Sequence, residues 1–307
     1  MNVLSLFDGI SCAYAALERA GIPVKSYTAV EIEKNAIAIS KKNYPEIIRH
    51  DDVRTFHSEA KFDLLIGGSP CVDLSIAKKD RQGLEGSHSS LFWEYVRIKN
   101  ECKPTWFILE NVASMPKKDK DIITEQMGVE PVMINAALVS AQNRKRLFWT
   151  NIPFDLPVDR GILLKDILQP ESEVAQNLMV KKESKYTKAN LCEDKSHTLT
   201  ATMKGAESNG TTLIKVGYIG NGDAQANRVY DPNGKSSTLS ANGGGLGAKT
   251  GLYDVEDRIR RLTPIECERL QGLPDNYTEG VVATNRYKCL GNAFNVDVVA
   301  CILTGLK

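Results

Sequence analysis

The chain has 307 residues, of which 42% are hydrophobic and 25% are charged, and its formal net charge at pH 7 is +1. This length suits one large domain with or without a smaller companion, and the composition is ordinary for a globular protein. No apolar run approaches the roughly 20 residues that span a bilayer, so no membrane partner is expected. The seven cysteines include no CxxC pair, which argues against a zinc site and a disulfide framework. A charge so close to zero neither indicates nor excludes a nucleic-acid partner.

Strand and helix signals alternate along the first 150 residues. The chain opens on an apolar run without a basic region or a cleavage site, which indicates a first strand and not a signal peptide. The cysteine pattern, without a disulfide framework, leads us to expect a cytoplasmic protein. The elements predicted in this half are strands at 3–7, 27–32, 62–66 and 106–109 and helices at 13–20 and 33–44. Strands that alternate with helices form a parallel sheet covered on both faces, so the fold class is α/β and Rossmann-like.

The character of the sequence changes after about residue 158. Between 159 and 257 helical periodicity fades and Gly, Ser, Thr and Asn accumulate, with a glycine-rich loop at 243–247. Two similar hexapeptides, SHTLTA at 196–201 and SSTLSA at 236–241, predict a repeated strand-and-turn element. Helical periodicity returns from 258 to the apolar C-terminal helix. We therefore predict a domain formed by 1–158 and 258–307 that is interrupted by a small irregular domain over 159–257.

The most informative motif is Gly-Gly-Ser-Pro-Cys at 67–71, directly after the predicted strand at 62–66. Two glycines and a proline turn the chain out of the sheet. Cys71 is thereby placed at the carboxyl edge, where open α/β sheets bind their ligands. A backbone turn and a nearby helix start favour the thiolate, although a lone cysteine is more often a buried structural residue. Cys71 is the candidate nucleophile.

Glu110 follows the predicted strand at 106–109 and so projects to the same edge of the sheet as Cys71. A thiolate and a carboxyl group together suit attack on an electron-poor ring whose nitrogen must be protonated. The alternative for Glu110 is an ordinary acid at a strand end. Arg144 and Arg146 belong to a basic cluster before an apolar strand at 147–149, where they would bind a phosphate or a ring carbonyl oxygen unless the cluster is merely solvated.

A second set of residues predicts a nucleoside site. Phe-Asp-Gly-Ile-Ser at 7–11 ends the first strand, and Glu31 ends the second strand 22 residues after Gly9. An acid at that offset from a glycine turn is typical of groups that hold ribose hydroxyls. The loop has one glycine and not GxGxxG, which favours a cofactor without phosphates. Asp52, after a third strand, could accept a hydrogen bond from an adenine amino group, although acids at strand ends often only cap helices.

In this order the motifs resemble those of cytosine-5 DNA methyltransferases over nearly the whole chain. The motifs that carry the resemblance are FDGIS at 7–11, Glu31, Asp52-Val53, GGSPC at 67–71, Glu110-Asn111-Val112, QNRKR at 142–146, RLTPIE at 261–266 and Gly291-Asn292. SPC, FDGI and VDLS are similar to the animal de novo branch. We see no chromatin-reading extension in this sequence, and in this respect the chain resembles a stand-alone prokaryotic or phage enzyme.

The resemblance implies a covalent mechanism on a cytosine flipped out of double-stranded DNA. Cys71 would attack carbon 6, and Glu110 would hold the exocyclic amine and N3 and protonate N3. Arg146 would contact the base carbonyl, and Arg144 the neighbouring phosphate or the active-site loop. A methyl group would pass from S-adenosylmethionine to carbon 5, leaving S-adenosylhomocysteine, and no metal is expected.

The resemblance also implies a pocket for S-adenosylmethionine. The residues predicted to line it are Phe7, Asp8, Gly9, Ile10, Ser11, Glu31, Ile32, Asp52, Val53, Gly68, Pro70, Asn292, Ala293 and Phe294. Phe294 stands where bacterial members often carry a small residue, so the methionine end of the cofactor should pack differently here. Asn292 matches bacterial members, whereas the animal de novo branch commonly has arginine.

For DNA, the polar segment 72–90 predicts a mobile loop that closes over the flipped base, with Gly83, Gly86 and Ser87 as hinges. The domain over 159–257 is expected to recognise the target sequence. The residues predicted to contact DNA are Ser75, Lys78, Lys79, Arg81, Gln82, Ser87, Lys204, Arg228 and Lys249. We expect a monomer, associated with the nucleoid through DNA, for which a cognate restriction endonuclease is a candidate partner.

Three other functions remain open from the sequence. The first is a tRNA cytosine-5 methyltransferase on the same scaffold, a branch that usually carries a Cys-Phe-Thr tripeptide, which this chain lacks. The second is a non-catalytic DNA-binding regulator, against which the presence of both Cys71 and Glu110 argues. The third is a Rossmann oxidoreductase, which the single-glycine loop disfavours.

Overall fold

The computed structural model of the protein describes residues 1–70, 83–86, 89–175, 178, 186–188, 213–219, 225–241, 247, 249–256 and 258–307. The strands are β1 (Asn2–Leu6), β2 (Ser26–Val30), β3 (Ile48–His50), β4 (Leu64–Gly68), β5 (Trp106–Val112), β6 (Val132–Asn135), β7 (Lys145–Thr150), β8 (Tyr186–Lys188), β9 (Lys215–Ile219), β10 (Arg228–Tyr230), β11 (Leu252–Val255) and β12 (Arg258–Arg260). The helices are α1 (Cys12–Arg19), α2 (Lys34–Asn43), α3 (Phe92–Cys102), α4 (Lys117–Met127), α5 (Pro264–Leu270), α6 (Ala283–Asn292) and α7 (Val296–Leu303).

The chain divides into two compact units. The first unit contains Met1–Asn135, Lys145–Leu156 and Phe294–Lys307, and the second contains Ala136–Arg144 and Pro157–Ala293. The first unit ends two residues before the predicted boundary at 158. The second unit differs from the predicted 159–257, because it also includes residues 136–144 and 258–293.

A seven-stranded sheet organises the first unit, with the strand order β3-β2-β1-β4-β5-β7-β6. The strands from β3 to β5 are parallel, as the alternation of strands and helices predicts. The prediction of a wholly parallel sheet is wrong at β7, which is antiparallel to both β5 and β6. Residues 136–144, which join β6 to β7, contain no long helix, and a parallel crossover needs a dozen or more residues.

The hydrophobic core of the first unit lies between these strands and the helices that follow them. Leu4, Leu65 and Leu109 from β1, β4 and β5 are fully buried and pack in one cluster with Phe92 of α3 and Ile123 of α4. Such nearly continuous apolar strands are typical of a sheet buried on both faces. This arrangement brings the carboxyl ends of β1, β2, β4 and β5 to one edge.

The second unit is built on a five-stranded sheet with the order β12-β11-β10-β9-β8. Within it β10 and β11 are parallel and the other neighbours are antiparallel. Arg260 of β12 is fully buried, and its guanidinium lies 2.9 Å from Glu266 and 2.6 Å from Glu171. These paired charges bind residues 258–266 to Glu171, near the start of the predicted domain over 159–257. This contact explains why the second unit extends beyond 257.

Among the residues that the structure describes, one stretch, Ala283–Leu306, is long and apolar enough to cross a membrane by length and composition. Of the 18 most apolar consecutive residues in this stretch, 67% are buried inside the protein, as is typical of core helices.

Candidate active site

Gly68, Glu110 and Phe294 meet at the carboxyl edge of the first unit's sheet. Gly68 ends β4 and is paired in register with Glu110 of β5. A Cβ atom at position 68 would lie 2.8 Å from the Phe294 ring and 2.9 Å from Glu110 Oε2. Only glycine allows the carboxylate and the ring to approach the backbone so closely. Cys71 comes three residues later and lies outside the described residues.

The turn that leads to Cys71 is fixed to the neighbouring strand. Asn111 of β5 is buried, and its Nδ2 donates hydrogen bonds to Ser69 Oγ at 3.2 Å and to the Ser69 carbonyl at 3.4 Å. Ser69 itself is 4% exposed. β5 therefore carries the Glu110 carboxylate and, through Asn111, fixes the backbone just before Pro70.

Glu110 forms an ion pair with Arg146, whose Nε lies 2.8 Å from Glu110 Oε1. The two side chains are only 14% and 16% exposed. The predicted strand ends are wrong here, because β5 continues to Val112 and β7 begins at Lys145, so that both charged residues lie inside strands. The hydrogen-bonded ladder between β5 and β7 extends both strands beyond their apolar cores, since paired backbone groups and not apolar side chains set the ends.

Arg144 lies in the second unit, two residues before Arg146, which belongs to the first. The Arg144 side chain is 3% exposed, and it donates to the carbonyls of Leu239 at 3.3 Å, Gly291 at 3.0 Å and Ala293 at 2.9 Å. The sequence predicts a contact with a phosphate or with the active-site loop. In the described structure the guanidinium binds backbone carbonyls of the second unit, and the contact with a phosphate or with the active-site loop stays a prediction.

Glu31 joins the ends of β1 and β2. Its Oε2 accepts from the amide of Gly9 at 2.8 Å, and its Oε1 accepts from the amides of Ile32 at 2.9 Å and Glu33 at 2.8 Å. Burial raises the pKa of Glu31, while the hydrogen bonds from Glu33 and Gly9 act in the opposite direction. A Cβ at Gly9 would meet no heavy atom within 4 Å, so this loop borders open space.

The side chains of Asp8 and Ser11 face the protein interior. Asp8 is 5% exposed and accepts from Tyr27 Oη at 2.7 Å and from Ser11 Oγ at 2.5 Å. Ser11 Oγ also lies 2.6 Å from Ser40 Oγ, and Ile10 is 1% exposed. Burial raises the pKa of Asp8 above its ordinary value. These side chains shape the loop at the end of β1, and the prediction that the loop lines the cofactor pocket stays a prediction.

The backbone of the loop around Asp8 is unusual. Phe7, Gly9 and Ser11 have φ values of 56°, 61° and 61°, and two of these three residues are not glycine. A left-handed conformation at non-glycine residues is uncommon and persists only where the surrounding structure enforces it. The hydrogen bonds of Asp8 and Ser11 supply that enforcement.

Asp52 follows β3 and is held by Arg54, which the sequence analysis did not single out. Arg54 donates to the carboxylate through Nε at 3.0 Å and Nη2 at 2.6 Å. These bonds lower the pKa of Asp52 to about 2. The turn after Asp52 is fixed by Arg97 of α3, which donates to the carbonyls of Val53 and Phe56 at 3.0 Å. The ion pair between Asp52 and Arg54 could be predicted, because the two residues are only two positions apart. The hydrogen bonds of Arg97 to this turn could not, because no local pattern links it to residues 53–56.

Other predicted cofactor residues differ in exposure. Ile32, directly after Glu31, is 64% exposed, whereas Val53 is 6% exposed. Asn292 and Ala293 lie at the end of α6 in the second unit, with Asn292 exposed and Ala293 buried. Pro70, which directly precedes Cys71, is half-buried.

Most predicted DNA contacts cannot be located in the described part of the chain. The residues that lie outside it are Cys71, Ser75, Lys78, Lys79, Arg81, Gln82, Ser87 and Lys204. Arg228 begins β10 and pairs in register with Tyr218, and Lys249 accepts a hydrogen bond at its carbonyl from the Ser240 amide at 2.9 Å. Both are half-buried residues of the second unit. Of the predicted glycine loop only Gly247 is described.

The second hexapeptide, at 236–241, packs inside the second unit, whereas the first, at 196–201, lies outside the described residues. The Ser236 amide donates to the Ala141 carbonyl at 2.7 Å, and the Asn143 amide donates to the Ser236 carbonyl at 2.9 Å. The predicted strand-and-turn element is therefore wrong for this copy, which forms only an isolated bridge to Gln142. It supports the segment that carries Arg144.

Lys235, just before this hexapeptide, is fully buried. Its Nζ donates to the carbonyls of Ile162 at 2.5 Å, Ala137 at 2.7 Å and Ser140 at 3.2 Å. Burial lowers the pKa of Lys235. The sequence offers no signal for this role, because a lone lysine is usually exposed.

Comparisons with known proteins identify the family of this chain. A family model described as C-5 cytosine-specific DNA methylase matches residues 1–307. The chain is 28% identical over 322 residues to the type II methyltransferase M.HhaI of Haemophilus parahaemolyticus, covering 98% of this chain and 93% of that protein. It is 30% identical over 313 residues to the orphan methyltransferase M.Rho11sI of Bacillus phage rho11s, and this match covers 84% of this chain and 61% of that protein.

A solved structure, that of the Entamoeba histolytica methyltransferase EhMeth, shares the fold with a TM-score of 0.70 and 14% identity, covering 100% of this chain and 97% of that one. The predicted family resemblance and the Rossmann-like α/β fold are thus confirmed. Members of this family use S-adenosylmethionine as the methyl donor. Because the family model spans the whole chain, the protein belongs to the C-5 cytosine-specific DNA methylase family and is a DNA cytosine-5-methyltransferase.

Proposed function

We propose that this chain methylates a cytosine flipped out of double-stranded DNA, with Cys71 as the nucleophile and Glu110 as its acidic partner. The observation that carries the proposal is that Glu110, Arg146 and Phe294 meet at one sheet edge beside Gly68. Gly68 precedes Cys71 by three residues. Asn111 supports it by fixing Ser69 within the same turn.

The reaction follows from the chemistry of these groups. The Cys71 thiolate forms a bond to carbon 6, and the electron pair of the ring's 5,6 double bond moves to carbon 5 as Glu110 delivers a proton to N3. S-adenosylmethionine, when bound, supplies an electrophilic methyl group to carbon 5. Water accepts the carbon 5 proton, the freed electron pair re-forms the 5,6 double bond as Cys71 leaves as the thiolate, and N3 returns its proton to Glu110. Arg146 orients Glu110 through the 2.8 Å ion pair and has further N–H groups for the base carbonyl.

The residues around Glu31 fit the nucleoside part of the cofactor. A carboxylate has about four lone-pair sites, and three backbone amides already use the Glu31 carboxylate. One site is left for a ribose hydroxyl beside the open space at Gly9. The exposed Ile32 offers an apolar surface to a purine, and Asp52, kept ionised by Arg54, offers an acceptor for its amino group.

Residues 159–257, which belong to the second unit, are proposed to recognise the target sequence. Arg228 and Lys249 would set DNA affinity and its salt dependence more than the choice of sequence. We further propose that the enzyme acts as a cytoplasmic monomer on chromosomal sites, releases S-adenosylhomocysteine, needs no metal, and protects sites against a cognate endonuclease. The names of M.HhaI and M.FnuDI as type II methyltransferases support the last point.

Covalent trapping tests the nucleophile. A PCR product made with 5-fluorocytosine in place of cytosine contains every short target, and fluorine at carbon 5 blocks the final elimination. With S-adenosylmethionine present, the wild-type protein should form an adduct that survives denaturing electrophoresis, and Cys71→Ser should form none while folding normally. Cys301→Ser, a change at a half-buried cysteine of α7, is the matched control and should trap like the wild type.

Labelled methyl transfer to plasmid DNA and to total tRNA separates the proposal from the tRNA alternative. Transfer to DNA is expected, and bisulfite sequencing of the product then gives the target. Transfer to tRNA alone, or trapping that persists in Cys71→Ser, would overturn the proposal.

A further inference from the structure

Arg97 of α3 binds the turn at 52–56, which carries Asp52 and is called the Asp52 turn below. Its Nη2 donates to the carbonyls of Val53 and Phe56, both at 3.0 Å. These two acceptors lie 44 and 41 positions before Arg97 in the sequence. The turn joins β3 to β4, so Arg97 connects a loop at the sheet edge to a helix of the same unit.

The guanidinium of Arg97 is itself fixed on α3. Its Nε donates to Glu94 Oε2 at 2.7 Å, and its Nη1 donates to Glu101 Oε1 at 2.9 Å. These glutamates lie on the neighbouring turns of the helix, and the helix is anchored in the core by the fully buried Phe92 and Tyr95. Because all three nitrogens of the planar group are used, the direction of Nη2 is set by the helix.

The bonds inside the Asp52 turn cannot fix it to the rest of the protein. Arg54 donates to the Asp52 carboxylate through its backbone amide at 3.0 Å and its Nη2 at 2.6 Å. However, Arg54 belongs to the turn, and its side chain is 64% exposed. The pair therefore fixes the carboxylate within the turn, and contacts from outside must fix the turn relative to the sheet.

Two kinds of contact reach the Asp52 turn from outside. The side chains of Val53 and Phe56 are buried in the core cluster that also contains Phe92. Apolar burial is non-directional, so it limits the depth of the turn more than its orientation. The hydrogen bonds from Arg97 are directional and fix the peptide groups that follow Asp52. Arg97 thus determines where the Asp52 carboxylate points.

The Asp52 carboxylate can accept one further hydrogen bond. A carboxylate has about four lone-pair sites, and three N–H groups of Arg54 bind this one, namely the backbone amide, Nε and Nη2. The Asp52 side chain is 26% exposed, so a ligand can reach it. An ionised carboxylate only accepts hydrogen bonds, and it therefore favours a purine that carries an amino group over one that does not.

We propose that Arg97 is a positioning residue for cofactor selectivity, which orients Asp52 toward the amino group of the adenine ring by holding the Asp52 turn on α3. This inference rests on the proposed role of Asp52. It predicts that loss of Arg97 weakens the binding of a nucleoside that carries the amino group and spares the binding of one that lacks it.

The test is calorimetry with S-adenosylhomocysteine and its 6-deamino analogue, in which hydrogen replaces the adenine amino group. The wild type should bind S-adenosylhomocysteine about tenfold or more tightly than the analogue, since a hydrogen bond to a charged group is lost. In Arg97→Met this ratio should fall below about threefold, while the dissociation constant of the analogue changes less than about twofold.

Lys99→Met is the matched control. It also removes one positive charge from α3, but Nζ of Lys99 lies 4.9 Å from the centre of the Phe107 ring. The control should keep the wild-type ratio, which separates the contact of Arg97 with the turn from the charge of the helix.

Arg97→Lys keeps the test decisive if Arg97→Met folds poorly. It retains the charge, but a single ammonium lacks the planar fork that spans the glutamates and the two carbonyls, so the ratio should fall here too. A wild-type ratio in either Arg97 variant, or an equal loss of affinity for both ligands, would overturn the inference. A wild-type protein that binds both ligands equally would instead overturn the proposed role of Asp52.

Discussion

Single residues divide into those that the sequence locates and those that it does not. Glu31 is found by its offset from Gly9, and the structure explains the offset because its carboxylate accepts the Gly9 amide at 2.8 Å across two strand ends. Asp8 belongs to the same motif, yet its carboxylate turns inward to Tyr27 at 2.7 Å. A motif identifies the loop, but which side chains line the site depends on partners far away in sequence.

Replacement of Glu31 tests the cofactor site. Glu31→Ala removes the charge-assisted hydrogen bond proposed to the ribose hydroxyl, worth about 1.5–3 kcal/mol. The dissociation constant for S-adenosylmethionine in calorimetry should therefore rise about tenfold or more. Glu33→Ala is the matched control, because Glu33 caps α2 through the Asn35 amide at 3.3 Å and should leave that constant unchanged. If Glu31→Ala and the wild type bind S-adenosylmethionine with equal affinity, Glu31 does not contact the cofactor and has only a structural role.

Asp8 should make stability depend on pH with a sign unusual for an aspartate. Burial raises its pKa in the folded protein, so the native state holds the proton at pH values where the unfolded state, with a pKa of about 3.9, has lost it. The free energy of unfolding should then fall as the pH rises from about 4 through the raised pKa of Asp8. Asp8→Asn removes this contribution and retains an acceptor for the Tyr27 hydroxyl.

Urea unfolding of the wild type and Asp8→Asn between pH 4.5 and 8 measures this effect as a difference, which cancels the contribution of Glu31. The wild type should lose stability relative to the variant as the pH rises. A difference that stays constant, or that increases with pH, would show that burial does not raise the pKa of Asp8.

At the scale of elements, apolar runs locate the strands but not their ends. The run at 106–109 indicates β5, yet the strand continues to Val112 because β7 pairs with it. This pairing puts Glu110 and Arg146 within 2.8 Å of each other. Neither the antiparallel direction of β7 nor this ion pair can be read from local patterns, since both depend on the short connection over 136–144.

Gly68→Ala tests the close packing at the end of β4. The new methyl group would lie 2.8 Å from the Phe294 ring and 2.9 Å from Glu110 Oε2. We expect a loss of about 1–3 kcal/mol in the free energy of unfolding from overpacking, and a loss of trapping on 5-fluorocytosine DNA as Glu110 is displaced. Gly128→Ala, at a C-cap where a Cβ meets no heavy atom within 4 Å, should lower stability through its φ of +72° but leave trapping intact.

Adding Phe294→Ala to Gly68→Ala should restore part of the lost stability, because it removes one of the two contacts. If Gly68→Ala traps at the wild-type rate, Glu110 is not displaced and the packing at this edge does not set the geometry of the carboxylate.

At the scale of the whole molecule, composition marks a change of character along the chain, whereas the extent of the second unit depends on long-range contacts. The change of character at about 158 lies close to the observed division after Leu156. The inclusion of residues 136–144 and 258–293 depends on long-range bonds, such as those of buried Lys235 to Ala137 and of Arg144 to Gly291. These two contacts join residues 98 and 147 positions apart, and no periodicity in the sequence indicates them.

These bonds determine how the recognition role of 159–257 should be tested. An exchange of that whole range for the matching part of a relative with a different target would also replace Lys235 and the segment that supports Arg144. The chimera should therefore keep residues 235–239 of this chain, so that Nζ of Lys235 still donates to Ala137 and Ile162, and Leu239 still accepts from Arg144.

Bisulfite sequencing of DNA methylated by this chimera should show the target of the donor, because base edges are read by side chains and loops of the exchanged part. The dissociation constant for S-adenosylmethionine should change less than twofold, since Glu31, Asp52 and the β1 loop belong to the first unit. The same chimera with Lys235→Met is the matched control, and it should lose stability through three unsatisfied carbonyls. A well-folded chimera that still methylated the original sequence would place specificity outside 159–257, with the segment 72–90 as the next part to exchange.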